Sequence, residues 1–279
     1  MKTILVPTDF SKAASNAAEY AVNLAKEMKA TVLLFHVYYV PIPVSEVPVI
    51  ISPDEFQADN EALLKKEAAN LKEKTGVEVR YLAKMGFAMD EILEEEKNAT
   101  LIVMGMKGAN KLSEALMGST TTATFRKATV PVLVIPEKAK YKKPKKIVFA
   151  CDYDSRTDVH TLDALKELMK TFGSKIYVVN VKQKKESVSM EEAVAGVKLE
   201  NKLNDVEHIY YFPEKEDLVE GINEFVQEHQ ADMVAIIPHR YSLMERLFHK
   251  SISKKMAFHT HIPLLALPDN HKSIPAYFL

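Results

Sequence analysis

The sequence predicts an α/β fold built twice: two tandem domains, each an open parallel sheet covered by helices. Three observations carry this. Short, continuously apolar runs alternate with longer amphipathic stretches, as buried parallel strands alternate with the helices that cover them. The order of runs that opens the chain begins again at Lys146. Between the apolar runs 100–104 and 130–135 lies a loop with the pattern G-x2-G-x9-G-[ST], holding Gly105, Gly108 and Gly118 of the chain's eight glycines.

In chain order, residues 2–7 form a short strand ending on Thr8 and Asp9, and Ser11 opens a helix to about Lys29. Ala14, Ala17, Ala18, Ala21, Val22, Leu24 and Ala25 give that helix one apolar face. Residues 31–37 are a second strand, ending on His36 and Val37. The segment 38–52 is apolar and carries Pro41, Pro43 and Pro48, which excludes a regular helix or a central strand. It fits a lid or partner surface, and equally a loop packed on its own domain. A charged helix over 53–74 follows, with Leu63, Leu64, Ala68 and Leu71 inside. A third strand over 78–83 and a short helix over 89–97 come next. Glu94, Glu95 and Glu96 read as a solvated face rather than a metal site. The strand 100–104, the glycine loop, a helix over 121–128 and the strand 130–135 complete the domain.

Ligands of an open parallel sheet bind outside the carboxyl ends of its strands, where the strand order reverses. Pro7-Thr8-Asp9, His36-Val37 and Gly105 to Gly108 all lie at such ends. Asp9 fits a helix cap and also an acceptor for an adenine or a ribose. Glycines admit positive φ and close approach of backbone N–H groups, and a helix opening at Ser119-Thr120 offers free N–H groups to an anion. Two glycines and a cap would fit a tight turn as well; three glycines, a cap and a strand on each side point to phosphate. The loop has neither the Gly-Lys-[Ser/Thr] of a P-loop nor the G-x-G-x-x-G of dinucleotide folds.

The charged stretch 136–145, bracketed by Pro136 and Pro144, reads as a solvated interdomain linker. Domains are accordingly expected over 1–138 and 146–279, joined by a linker over 139–145. In the second copy Asp152 matches Asp9. Strands follow over 146–152, 175–181, 206–211, 231–237 and 262–267, and helices near 155–171, 190–203 and 216–230. The offset between copies falls from 143 at Asp9/Asp152 to 132 at Pro131/Pro263, so the second copy is the shorter. Aligned from Pro263, Gly105 becomes Ile237, Gly108 becomes Arg240, Gly118 becomes Lys250, and Ser119 survives as Ser251. Long side chains cannot reproduce a backbone N–H cradle and fill the volume that phosphates need. The second loop therefore reads as a filled site, or as one where His239, Arg240 and Lys250 offer charge to another anion.

At 279 residues, with 47% apolar and 27% charged residues, the chain suits a soluble globular protein of this size. Lys+Arg 37 against Asp+Glu 38 gives no basic field, so no nucleic-acid partner is implied. Met1-Lys2 runs directly into a strand, and no apolar run approaches membrane-spanning length, so neither a leader nor a membrane partner is expected. The single cysteine, Cys151, excludes an intrachain disulfide, reads as a buried structural thiol rather than a reactive one, and suits a cytoplasmic location. Of nine histidines only His36 lies in the first copy; His249, His259, His261 and His271 match no zinc spacing, and no metal site is expected.

The loop pattern, its strand–loop–helix–strand setting and the Pro7-Thr8-Asp9 opening resemble the ATP-binding signature of universal stress proteins. The resemblance covers the chain as far as Pro268. It implies doubly wound, five-stranded, Rossmann-like sheets of the adenine nucleotide alpha hydrolase type. Carried onto matching positions, Pro7, Thr8, Asp9 and Val37 surround adenine and ribose, while Gly105, Gly108, Gly118, Ser119 and Thr120 hold the phosphates with Lys107 beside them. The ligand implied is ATP, ADP or AMP, with Mg2+ accompanying it. The family pairs domains through the last strand, so 130–135 and 262–267 would make one chain a pseudo-dimer, with further homodimerisation open. Two function classes follow: a stress-response module with an unidentified protein partner, or a slow ATP hydrolase or nucleotidyl transferase. No general base with an orienting partner and no paired carboxylates adjoin the loop, which favours the module.

Overall fold

In the computed structural model the residues described are 2–39, 53–106, 118–151, 161–181, 190–215, 218–238 and 262–268. The first copy runs β1 (Thr3–Pro7), α1 (Lys12–Met28), β2 (Thr31–Tyr38), α2 (Pro53–Thr75), β3 (Val79–Met85), α3 (Ala88–Glu95), a 3₁₀ turn (Glu96–Asn98), β4 (Leu101–Met106), α4 (Ser119–Lys127) and β5 (Val132–Pro136). The second runs β6 (Lys146–Ala150), α5 (Leu162–Phe172), β7 (Lys175–Val179), α6 (Met190–Leu203), β8 (His208–Tyr211), α7 (Leu218–His229), β9 (Met233–Ile236) and β10 (Leu264–Ala266). Two compact units divide between Tyr141 and Lys142.

Within the first unit the strands lie side by side in the order β3-β2-β1-β4-β5, every described pairing parallel. Within the second the order β8-β7-β6-β9-β10 repeats that arrangement. After β3 the chain crosses back to the far side of β1, so the order reverses between β1 and β4. The apolar runs become strands because both faces of the sheet are covered: Ile4, Leu5, Val6, Ile102, Val103, Val134 and Ile135 have no exposed surface.

Helix α1 starts where Ser11, extended at φ −69° and ψ 160°, accepts a hydrogen bond from the Ala14 amide. It ends where Lys29 turns left-handed at φ 52° and ψ 45°. The helix of the second copy ends at the matching place on Gly173, at φ 58°. All seven residues of the expected apolar face of α1 are buried. Its alanines leave room for close packing, a point that decides the role of Gly105 below.

Three expectations change. Strand β4 continues through Gly105 and Met106, which pair with Ile135 and Pro136. Glu96 is not on a solvated face: it is buried, and its carboxylate accepts hydrogen bonds from the amide and hydroxyl of Thr129 at 3.0 to 3.2 Å. The segment after β5 is no free linker. Asn16 Nδ2 donates to the carbonyls of Pro136 and Ala139, and the Tyr141 ring packs edge-on against Tyr20 at 5.1 Å. Further on, buried Asp232 accepts from the amides of Lys145 and Lys146 and pairs with the Lys142 ammonium at 2.6 Å. The proline-rich segment, beyond Tyr39, lies outside the described residues.

The Tyr141 hydroxyl is buried without a hydrogen-bond partner, and burial, with the Glu27 carboxylate nearby, pushes its pKa up to about 12. An unfolded tyrosine ionises near 10, so between pH 10 and 12 the unfolded chain binds fewer protons and stability falls as pH rises. Partial exposure of the ring reduces this loss to about 1 kcal/mol. Tyr141→Phe should flatten the alkaline fall and leave stability at pH 7 equal or up to about 1 kcal/mol higher. Urea unfolding at pH 8 and pH 11 checks this; an undiminished alkaline loss in the variant refutes it.

Candidate functional site

The crevice forms at the carboxyl edge of β1 and β4, where the strand order reverses. Pro7 ends β1, paired with Phe35. The Thr8 amide extends that pairing by donating to the Phe35 carbonyl at 2.9 Å. Thr8 is buried, and its Oγ1 accepts from the Phe10 amide at 3.1 Å. Asp9 is exposed, and its Oδ1 accepts from the Ser11 amide at 3.0 Å. The cap of α1 is thus Ser11, with Asp9 bracing the cap from two residues earlier. Phe10 completes the corner at φ 59°, a left-handed conformation that is costly for an aromatic residue.

Across the edge, His36 Nδ1 lies 2.7 Å from the Thr8 carbonyl. A carbonyl only accepts, so Nδ1 carries the proton and donates. The His36 ring also packs against Phe10, with centroids 4.6 Å apart. Val37, the next residue, is half-buried in β2 opposite Lys84.

On the other side of β1, a Cβ placed on Gly105 would lie 2.4 Å from the Ala13 carbonyl oxygen and 2.8 Å from the Ala14 nitrogen. Gly105 is therefore a glycine because the first turn of α1 rests on β4. Its place is inside the strand, not in the loop expected. The Thr121 hydroxyl reaches the Gly105 carbonyl at 3.4 Å, which fastens the start of α4 to the end of β4.

Gly118, not Ser119, is the N-cap of α4; Ser119 and Thr120 are its first two residues. Gly118 is exposed at φ −53° and ψ 152°, a conformation open to any residue, and a Cβ there would meet no described residue within 4 Å. Among the described residues no side chain caps this helix, and its first intrahelical bond runs from the Thr122 amide to the Gly118 carbonyl. The preceding amides, of Ser119, Thr120 and Thr121, point out of the helix start, where the helix dipole favours an anion. Lys107 and Gly108 lie outside the described residues.

The structure thus gathers Thr8, Asp9, Gly105 and residues 118–120 around the ends of β1 and β4, with Val37 on the neighbouring strand. Sequence reasoning placed His36 at a strand end without assigning it a role, and missed Phe10 and Ala13. Their contacts depend on sheet register and helix packing.

In the second copy Ile237 sits one residue past β9, in the register of Gly105, and is buried at 5% exposure. Asp152, His239, Arg240, Lys250 and Ser251 lie outside the described residues. Cys151, expected to be buried, is half-exposed. A concavity of about 560 Å³ in this unit is lined by Asp163, Lys166, Glu167, Lys170 and Thr171. Its lysines are already paired with Asp205 at 2.5 and 2.6 Å, which leaves no offer of charge to a ligand. Among the described residues no cluster of His, Cys, Asp and Glu could hold a metal, and no helix is long and apolar enough to cross a membrane.

The universal stress protein family matches the chain twice, over residues 1–136 and 143–268. A universal stress protein of Methanocaldococcus jannaschii is 36% identical over 151 residues, which span 52% of this chain and 84% of the relative. One from Bacillus subtilis is 32% identical over 143 residues, spanning 47% of this chain and 97% of the relative. Among solved structures, a universal stress protein from Archaeoglobus fulgidus is similar in fold, with a TM-score of 0.74 at 17% identity over 96% of this chain and 98% of its own.

Proposed function

Because the chain belongs to the universal stress protein family, we propose that its first copy binds one adenine nucleotide and that the chain acts as a nucleotide-dependent stress-response module. One observation carries the reading: α4 begins on an exposed Gly118, uncapped among the described residues and tied through Thr121 to the crevice edge at Gly105. The amides of residues 119–121 would meet phosphate oxygens, and Thr8, Asp9 and Val37 would meet the nucleoside. Lys107 and Gly108 belong to the same proposal. ATP, ADP and AMP share the required chemistry. Mg2+ would enter bound to the phosphates.

Buried Ile237 in the register of Gly105 supports a single site per chain. A cytoplasmic setting is proposed on the single cysteine of the sequence, which can form no intrachain disulfide. Pairing of the two copies within the chain, and a protein partner that reads the bound nucleotide, are parts of the same proposal.

Calorimetric titration of the full chain with ATP, ADP and AMP, followed by product analysis, tests it. One site per chain with the nucleotide retained intact is the expected result. Two equivalent sites, or none, would overturn the reading, and steady release of product would replace the module with an enzyme.

A further inference from the structure

The second copy has lost its glycines but kept another feature of the first. In β1 and β2, Pro7 pairs with Phe35, and the Thr8 amide donates to the Phe35 carbonyl at 2.9 Å. In β6 and β7, Ala150 pairs with Val179, and the Cys151 amide donates to the Val179 carbonyl at 3.0 Å. The next residue on the second strand is His36 in one copy and Asn180 in the other. His36 Nδ1 bonds the Thr8 carbonyl at 2.7 Å; Asn180 Nδ2 bonds the Cys151 carbonyl at 2.8 Å. Histidine and asparagine each carry a nitrogen at the δ position, the same number of bonds from the backbone. Different residues thus place one donor on one carbonyl, just past the last rung of the strand pair.

A backbone carbonyl at the end of a buried strand needs a hydrogen-bond donor, and His36 supplies one here. Holding it fixes the exit from Thr8 into Asp9. In the first copy the same imidazole also packs against Phe10, whose backbone is held at φ 59°. His36 therefore grips the residues on both sides of Asp9: Thr8 by a hydrogen bond, Phe10 by its ring. Asn180 reproduces the bond without the ring. The duplication separates the two effects.

We infer that His36 is a positioning residue for the nucleoside end of the crevice, setting the Asp9 corner through its Nδ1–H bond to the Thr8 carbonyl. This rests on the nucleotide-binding reading of the first copy. The hydrogen bond is the part that matters for position, since it is the part the second copy keeps.

The test uses the full chain with His36→Asn, His36→Phe and His36→Gln. Asparagine keeps the donor at the δ position, as Asn180 does. Phenylalanine keeps a ring and removes the donor; glutamine moves the donor one bond too far. ATP affinity by calorimetry should stay within about threefold of the parent for His36→Asn and fall about tenfold or more for the other two, as expected when a carbonyl loses its partner. Amide hydrogen exchange at Phe10 and Ser11 in the nucleotide-free chain should follow the same order, protected in the parent and in His36→Asn and faster in the others. If His36→Phe fails to fold, His36→Gln carries the comparison.

Equal weakening in His36→Asn and His36→Gln would overturn the inference, because the ring rather than the bond would then set the corner. Parent-like affinity and exchange in all three would overturn it as well. Should the parent bind none of ATP, ADP and AMP, the nucleotide reading fails, while the exchange rates still decide whether His36 holds the corner.

Discussion

Gly118→Lys is expected to weaken nucleotide binding by about a hundredfold or more while moving the melting temperature by no more than a few degrees. The substitution copies Lys250, its counterpart in the second copy. Nothing among the described residues requires glycine at this position: its backbone lies at φ −53°, and a Cβ would have no described neighbour within 4 Å. Lysine is a poorer N-cap than glycine and brings positive charge to a helix start, which together cost about 1 kcal/mol. For a unit of this size that is about 2–4 °C. The space that protects the fold is the space the phosphates are proposed to occupy. Displacing two charge-assisted hydrogen bonds at about 1.5 kcal/mol each lowers affinity by about a hundredfold or more. Calorimetry and bound-nucleotide analysis, run beside thermal melting, check both halves. Unchanged affinity would place the phosphates elsewhere; a collapse of melting would mean that the glycine serves the fold.

The fold was legible where the determinants are local. The alanine spacing of α1 fixed both the helix and its buried face, and the continuous apolar runs fixed the parallel strands. Repetition of those runs from Lys146 announced the second copy. Boundaries moved where partners far away in sequence intervene. Strand β4 reads as ending at Met104 because glycine looks like punctuation, yet β5 supplies partners for Gly105 and Met106. Glu96 looks like one of three solvated acids until Thr129, thirty-three residues on, is placed against it. The site divides in the same way. Thr8, Asp9, Ser119 and Thr120 were legible because strand ends and helix starts are written locally. The contact of His36 with Thr8 spans 28 residues and exists only through the register of β1 on β2. One clue to it lies in the sequence: Asn180 follows the matching strand with the same donor at the same atom.

Gly105→Ala is expected to be the most damaging single methyl group in the first copy. The added carbon would sit 2.4 Å from the Ala13 carbonyl oxygen, 2.5 Å from its carbon and 2.8 Å from the Ala14 nitrogen. All three are backbone atoms in the first turn of α1, so no rotamer change relieves the clash. Either α1 moves away from β4 or the end of β4 bends, and in both cases the packing of Ala13, Ala14, Ala17 and Ala18 loosens. Overpacking of this kind costs about 3 kcal/mol, against which the lower entropy of an unfolded alanine returns about 0.5 kcal/mol. Melting of the first unit should fall by about 10 °C in the absence of any ligand. Nucleotide affinity should fall too, by a different route from Gly118→Lys: moving α1 displaces Ser11 and the Asp9 carboxylate that braces it. Two glycines of one loop pattern therefore have separable reasons to be glycine: close packing for Gly105 and, on the proposed reading, ligand access for Gly118. Thermal melting of ligand-free Gly105→Ala beside Gly118→Ala distinguishes them. Parent-like melting of Gly105→Ala would refute the close seating of α1 on β4 and return Gly105 to a role in the ligand site alone.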